Sequence, residues 1–309
     1  MRRWVIGSRG SKLALWQARY VRDGLLAMHP GLDVQVRPIR THGDLEANLP
    51  LASVPIRGFF SSQIQRALLE RQVDLAVHSL KDLPVEPADG LVLAAVPPRY
   101  DPSDALVSKG DLRLADLPAG ARVLCSSWRR QAQLLHRRAD LRILPIRGNV
   151  DTRLCKLDES GADAMILASA GLDRLGAGGR IAQRFDPCEF LPAPGQGALA
   201  VECRADDAEA RALVAGLDDE SSRLATLAER SFLAALGGGC RLPAGALGRI
   251  EAGRLVLRGL VASPDGRQVV RDQVQAADFG RAEALGGELA RQLLHAGGQD
   301  ILDQLASLL

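Results

Sequence analysis

The 309-residue chain is short of lysine, with four (Lys12, Lys81, Lys109, Lys156) among 39 basic residues, and short of aromatics, at 4%. Its five cysteines, at 125, 155, 188, 203 and 240, are odd in number and form no C-x-x-C, which argues against a disulfide framework and against a zinc site. No apolar run reaches membrane length, and Met1-Arg2-Arg3 leads into the strand-like WVIG rather than into a signal peptide. No Walker loop, G-x-G-x-x-G, G-x-S-x-G or H-E-x-x-H occurs, and neither solenoid repeats nor low-complexity segments are present. With a net charge of only +2 and so few aromatics, there is no basic stripe or stacking platform for nucleic acid. These absences lead us to expect a cytoplasmic protein with reduced thiols, no metal, and neither nucleic acid nor membrane as a partner.

What is present is an ordinary globular composition, 47% hydrophobic and 25% charged, on a chain long enough for two or three domains. A strand at Trp4 to Gly7, a helix from about Ser11, the strand VQVRPI, a helix near Ser62 to Arg71 and a strand from Val73 to Val77 read as β-α-β-α-β. LVLAAV completes this unit near residue 97, and PPRYDPSD reads as a crossover linker. RVLC, SSWRRQAQLLHRR, LRILPI, NVDTRLCKLDES, DAMILA and SAGLDRLG repeat the alternation, so parallel sheets in two neighbouring domains are expected. ALAVEC follows PAPGQG, and from about residue 220 the texture changes. A long helix (Glu220 to Leu236), the sequence GGGC, a hairpin turning at Asp265-Gly266 and two last helices predict a small α+β domain. Disorder is expected only near residues 44 to 60.

The most informative segment is VDLAVHSLKDLP, Val73 to Pro84, an apolar strand running out into His78, Ser79, Lys81 and Asp82. Ligands of open α/β sheets bind past the carboxyl ends of strands, so Asp82 is a candidate for chemistry; the alternative is a turn cap before Pro84. Two further strand-to-helix junctions read as anion sites. In LCSSWRRQ, Ser126 and Ser127 cap a helix with Arg129 and Arg130 in its first turn, a placement the helix dipole disfavours unless an anion compensates. In PIRGNVDTR, Arg147 closes a strand and Arg153 lies one turn into the next helix. Arginine's planar fork suits polycarboxylates, although solvated surface arginines would look the same. Cys240, preceded by three glycines, has little steric cover and suits a nucleophile or an attachment point; the alternative is a small buried hydrophobe.

SRGSKLALWQ at 8 to 17, THGD at 41 to 44, DLAVHSLKDLP at 74 to 84, SSWRRQ at 126 to 131, RGNVDTRLCKL at 147 to 157, LPAPGQGALAVECR at 191 to 204 and GGGC at 237 to 240 together resemble the hydroxymethylbilane synthase (porphobilinogen deaminase) family. The motifs run in family order over nearly the whole chain. The resemblance implies a transferase of tetrapyrrole (heme) biosynthesis that condenses four porphobilinogens head to tail with loss of ammonia. The primer would be a dipyrromethane cofactor held as a thioether by Cys240, and Asp82 would be the catalytic carboxylate. Arg9, Arg129, Arg130, Arg147, Arg153 and Arg174 would bind pyrrole carboxylates, with Ser11, Lys81, Ser126 and Ser127 as neighbouring donors. The implied fold is α/β, two periplasmic-binding-protein-like domains around a cleft plus a small α+β C-terminal domain, in a monomer. The expected boundaries are 1–98 with 199–217 for the first domain, 99–198 for the second and 218–309 for the third.

Departures from the family pattern cluster in VPIRGFFSSQIQ, where Arg57 and Ser62 replace lysines, Gln63 and Gln65 replace glutamates, and Pro55 stiffens a glycine-rich loop. Cys125 also stands where a threonine is usual, exchanging a good hydroxyl donor for a weak thiol. A paralogue making a shorter or altered oligopyrrole, or a two-lobed carboxylate binder without chemistry, is the alternative reading.

Overall fold

The computed structural model describes residues 2–40, 62–238 and 242–306. They fall into two compact units, Met1–Tyr100 with Gly197–Arg223, and Asp101–Gln196 with Leu224–Leu309. In chain order the first unit opens with β1 (Arg3–Arg9), α1 (Lys12–Met28), β2 (Asp33–Ile39), α2 (Ser62–Leu69), β3 (Leu75–Ser79) and β4 (Leu91–Ala95). The second unit follows with β5 (Asp104–Ser108), β6 (Arg122–Leu124), α3 (Trp128–Arg137), β7 (Arg142–Leu144), α4 (Val150–Glu159), β8 (Ala164–Ala168), α5 (Ser169–Arg174) and β9 (Gln183–Arg184). β10 (Leu199–Arg204) and α6 (Ala208–Val214) return to the first unit. α7 (Glu220–Ala235), β11 (Ala244–Glu251), β12 (Arg254–Ala262), β13 (Val269–Ala276), α8 (Ala282–Leu293) and α9 (Gln299–Ala306) complete the described chain.

The two five-stranded sheets share one plan. The first runs β2-β1-β3-β10-β4 and the second β7-β6-β8-β5-β9. In each, three parallel strands joined through helices meet an antiparallel fourth, β10 against β3 and β5 against β8. The expected all-parallel sheets are thereby corrected: each sheet is mixed. A strand entering from the other half of the chain needs no βα crossover, so it is not bound to the parallel direction. PPRYDPSD is also more than a linker, because its Ser103 and Asp104 are buried and Asp104 opens β5.

Local sequence explains the elements that matter. Ser11 caps α1 by accepting from the Ala14 amide at 3.3 Å, and Ala14, Ala18, Val21 and Leu25 turn one stripe inward. Pro38, which cannot donate to a ladder, lies on β2 at the sheet edge. β11, β12 and β13 form an antiparallel sheet covered by Phe232 of α7 and by Leu285, Leu289 and Leu293 of α8. The predicted turn at Asp265-Gly266 joins β12 to β13. Gly266 has φ +71°, and a Cβ there would collide with the backbone of Ala132 and His136 in α3, so glycine is required for both conformation and approach.

Candidate active site

Arg9 ends β1 and Ser11 follows it, and Lys81 and Asp82 follow β3, its parallel neighbour (Gly7 opposite Ala76), so all four come to one carboxyl edge of the first sheet. Asp82 ends a 3-10 turn, Leu80–Asp82, whose apolar residues hold it down. Leu80 and Leu83 are buried with Val96, Ala198 and Ala200, and the Leu80 amide donates to the Ala198 carbonyl at 3.1 Å. Lys81, half-buried, and Asp82, exposed, are left outside that core. The strand end is braced from α1, where buried Gln17 hydrogen-bonds the Ser79 hydroxyl through Nε2 at 2.8 Å.

Behind this edge lies a carboxylate that sequence reading missed. Glu202 of β10 is buried; both its oxygens lie 3.2 Å from Gln65 Nε2, and Oε2 lies 3.0 Å from His78 Nε2. Gln65, noted above as replacing a glutamate, thus serves as an amide donor to Glu202. A glutamate there would set two carboxylates against each other.

In the second unit, Ser126, Ser127, Arg129 and Arg130 follow β6, Arg147 and Arg153 follow β7, and Arg174 follows β8, three parallel strands side by side. Ser127 caps α3, with its side-chain oxygen 3.5 Å from the Arg130 amide. Ser126 departs from its expected role. Its hydroxyl donates to the Ile146 carbonyl at 2.6 Å and accepts from the Ile146 amide at 2.8 Å, so its one proton is spent on tying β6's exit to β7's. The chain passes from Arg147 into α4 through Gly148, at φ +117°, where a Cβ would lie 2.8 Å from the Thr152 side chain. Arg153 Nε donates to the Gly148 carbonyl at 2.8 Å, which holds that turn closed.

Arg129 and Arg130 are buried, contrary to a surface reading, and the compensating anion that their helix position calls for is internal. Asp104 Oδ2 accepts from Arg129 Nη1 at 2.6 Å, and Oδ1 lies 2.8 Å from Arg130 Nε and 2.7 Å from its Nη2. Burial pushes the Asp104 carboxyl up, but the two guanidiniums, with hydrogen bonds from Arg129 and Gln196, more than reverse this and hold it below the usual carboxylate range. Burial pushes the neighbouring Cys125 thiol up, so it is a protonated, packed group. The signal for Asp104 lay in PSDALV, an acid opening an apolar run, but its partners are distant in sequence.

Donors suited to carboxylates remain at this edge. Arg129 Nε and Nη2, and the Arg147 guanidinium, take no partner among the described residues. Such an edge fits a ligand bearing carboxylates. Cys240, Arg57 and Pro55 lie outside the described residues, as does the 44–60 segment expected to be disordered. Among the described residues, no helix is long and apolar enough to cross a membrane.

Residues 4–212 match the family model "Porphobilinogen deaminase, dipyromethane cofactor binding domain", and residues 223–295 match "Porphobilinogen deaminase, C-terminal domain". The porphobilinogen deaminase of Desulforudis audaxviator is 49% identical over 298 residues, 96% of this chain and 96% of its own. That of a Roseiflexus strain is 48% identical, covering 96% of this chain and 98% of its own. With both family models in order and near-half identity along almost its entire length, the chain belongs to the porphobilinogen deaminase family.

Proposed function

We propose that Asp82 is the catalytic carboxylate of a porphobilinogen deaminase reaction, in which four porphobilinogens are joined head to tail with loss of ammonia to give hydroxymethylbilane. The observation that carries this is the placement of Asp82, the exposed carboxylate of a turn pinned by Leu80 and Leu83 at the carboxyl edge of β3. Loss of ammonia from porphobilinogen leaves a cation. A carboxylate at about 4 Å in an effective dielectric near 20 stabilises such a charge by roughly 4 kcal/mol, about a thousandfold in rate. The same group can carry a proton between the departing amine and the ring carbon, a role typically worth about 10² to 10⁴ in rate.

The dipyrromethane cofactor, when bound through Cys240, supplies the ring carbon onto which substrate is added. Arg9, Ser11, Lys81, Ser127, Arg129, Arg130, Arg147, Arg153 and Arg174 would hold its carboxylates and those of the growing chain. Ser126 belongs to this set through backbone geometry, as a clasp between the two strand exits. We further infer a three-domain protein, the third from about residue 218, acting as a monomer in the cytoplasm on a small-molecule substrate without nucleic acid or membrane.

Intact mass of the purified protein tests the attachment. A gain equal to two linked pyrroles, absent from Cys240→Ser, is expected, together with turnover of porphobilinogen that Asp82→Ala abolishes. An unmodified chain inert toward porphobilinogen refutes the reading.

A further inference from the structure

We propose that Asp104 and Gln196 are positioning residues for the carboxylate-binding arginines, holding Arg130 and one end of Arg129 so that the Nε–Nη2 edge of Arg129 is kept for a ligand carboxylate. The inference rests on the porphobilinogen deaminase reading of this edge and extends it to two residues that touch no substrate. Asp104 and Gln196 are both 0% exposed. Asp104 is opposite Ala168, the last residue of β8, because β5 runs antiparallel; its carboxylate therefore sits level with the strand exits that carry the arginines.

The hydrogen bonds divide the two guanidiniums unequally. Asp104 Oδ1 closes the Nε–Nη2 side of Arg130 and also accepts from Gln196 Nε2 at 2.9 Å. Gln196 is itself fixed, since Nε2 also donates to the Pro102 carbonyl at 2.8 Å. Arg129 is held at a single nitrogen: Nη1 donates to Asp104 Oδ2 at 2.6 Å and to the Leu191 carbonyl at 2.7 Å. The Leu191 peptide is in turn clamped by Gln133, which donates to its carbonyl at 3.0 Å and accepts from its amide at 2.8 Å. A planar fork pinned at one end offers its other edge in one orientation, which lowers the cost of ordering it on binding.

Charge adds a second effect. Two adjacent guanidiniums alone would draw any anion, whereas with Asp104 between them the set carries one net positive charge. One ligand carboxylate then completes it, and recognition depends on geometry more than on bulk charge.

The measurement is the ratio between KM for porphobilinogen and the inhibition constant of inorganic phosphate, read on the full-length holoenzyme. Asp104→Asn keeps the shape and removes the charge, so phosphate should bind more tightly relative to substrate and the ratio should rise about tenfold or more. Gln196→Leu removes the bonds its amide makes to Asp104, Arg130 and the carbonyls of Pro102 and Ser103, keeps the Asp104 charge, and should move the ratio the same way, about two- to threefold. If Asp104→Asn is recovered only as aggregate, Gln196→Leu decides. A ratio within about 1.5-fold of the parent in every variant that folds, whatever the loss of melting temperature, reduces these residues to structural supports and overturns the proposal. Turnover of porphobilinogen by the parent protein tests the activity independently, so failure of that reading is distinguishable from failure of this one.

Discussion

The two mixed sheets have the same strand order, and in each the antiparallel strand carries a buried acid, Glu202 on β10 and Asp104 on β5. They differ in depth. Glu202 stands opposite Ala76, three residues short of the β3 exit at Ser79, where it accepts from Gln65 and lies 3.0 Å from His78 Nε2. Asp104 stands opposite the last residue of β8 and meets the arginines of the strand exits. A shift of three positions along an antiparallel strand thus separates a carboxylate beside a buried histidine and glutamine from one paired with the arginines of the strand exits. The first edge leaves a carboxylate exposed, Asp82; at the second edge Arg129 Nε and Nη2 take no partner among the described residues.

The comparison can be broken at its largest effect first. Asp82→Ala is expected to lower kcat by about 10³ or more while leaving the urea midpoint nearly unchanged, because this side chain is exposed. Near-normal turnover would remove Asp82 from the chemistry. Asp104→Ala should do the reverse, costing about 3–5 kcal/mol in unfolding free energy, since it strands two buried guanidiniums. A loss below about 1 kcal/mol, the scale of an exposed pair, would show that solvent already compensates them. Glu202→Gln is expected to cost less, about 1–3 kcal/mol by removing the charged acceptor of the buried Gln65 amide, with kcat changed less than about threefold. A large fall in kcat there would place Glu202 in the reaction and erase the distinction of depth.

The smallest effect is in pH. The Asp104 carboxyl lies lower in the folded state than in the unfolded one, so its stabilisation is complete above the unfolded value of about 3.9 and is lost only as pH falls through the lower folded value. The stability difference between the parent and Asp104→Asn should therefore stay constant from about pH 7 to about pH 5 and narrow only below about pH 4. A gap that widens on acidification contradicts the pairing.

Periodicity revealed most elements because the parallel strands are short, apolar and separated by capped helices: Ser11 before α1 and Ser127 before α3 both cap in the structure. The hairpin at Asp265-Gly266 was equally legible, since turn chemistry is local. β5 was not, because PPRYDPSD has the composition of a loop, and its Asp104 is intelligible only beside arginines 25 and 26 residues away. Ser126 shows the opposite failure. Its place in a family motif is correct, yet its hydroxyl is consumed by Ile146 from the neighbouring strand exit, a pairing no local pattern contains.

The sequence by itself determined the alternation of strands and helices, the family, and which side chains leave the strand ends, because these depend on local period and on motifs carried in order. Only the tertiary structure decided the antiparallel return strands, the depth of their carboxylates, and hence which arginine edges are taken by the protein. Those outcomes depend on register between segments far apart in the chain, and register is set by packing of whole sheets rather than by any stretch of residues.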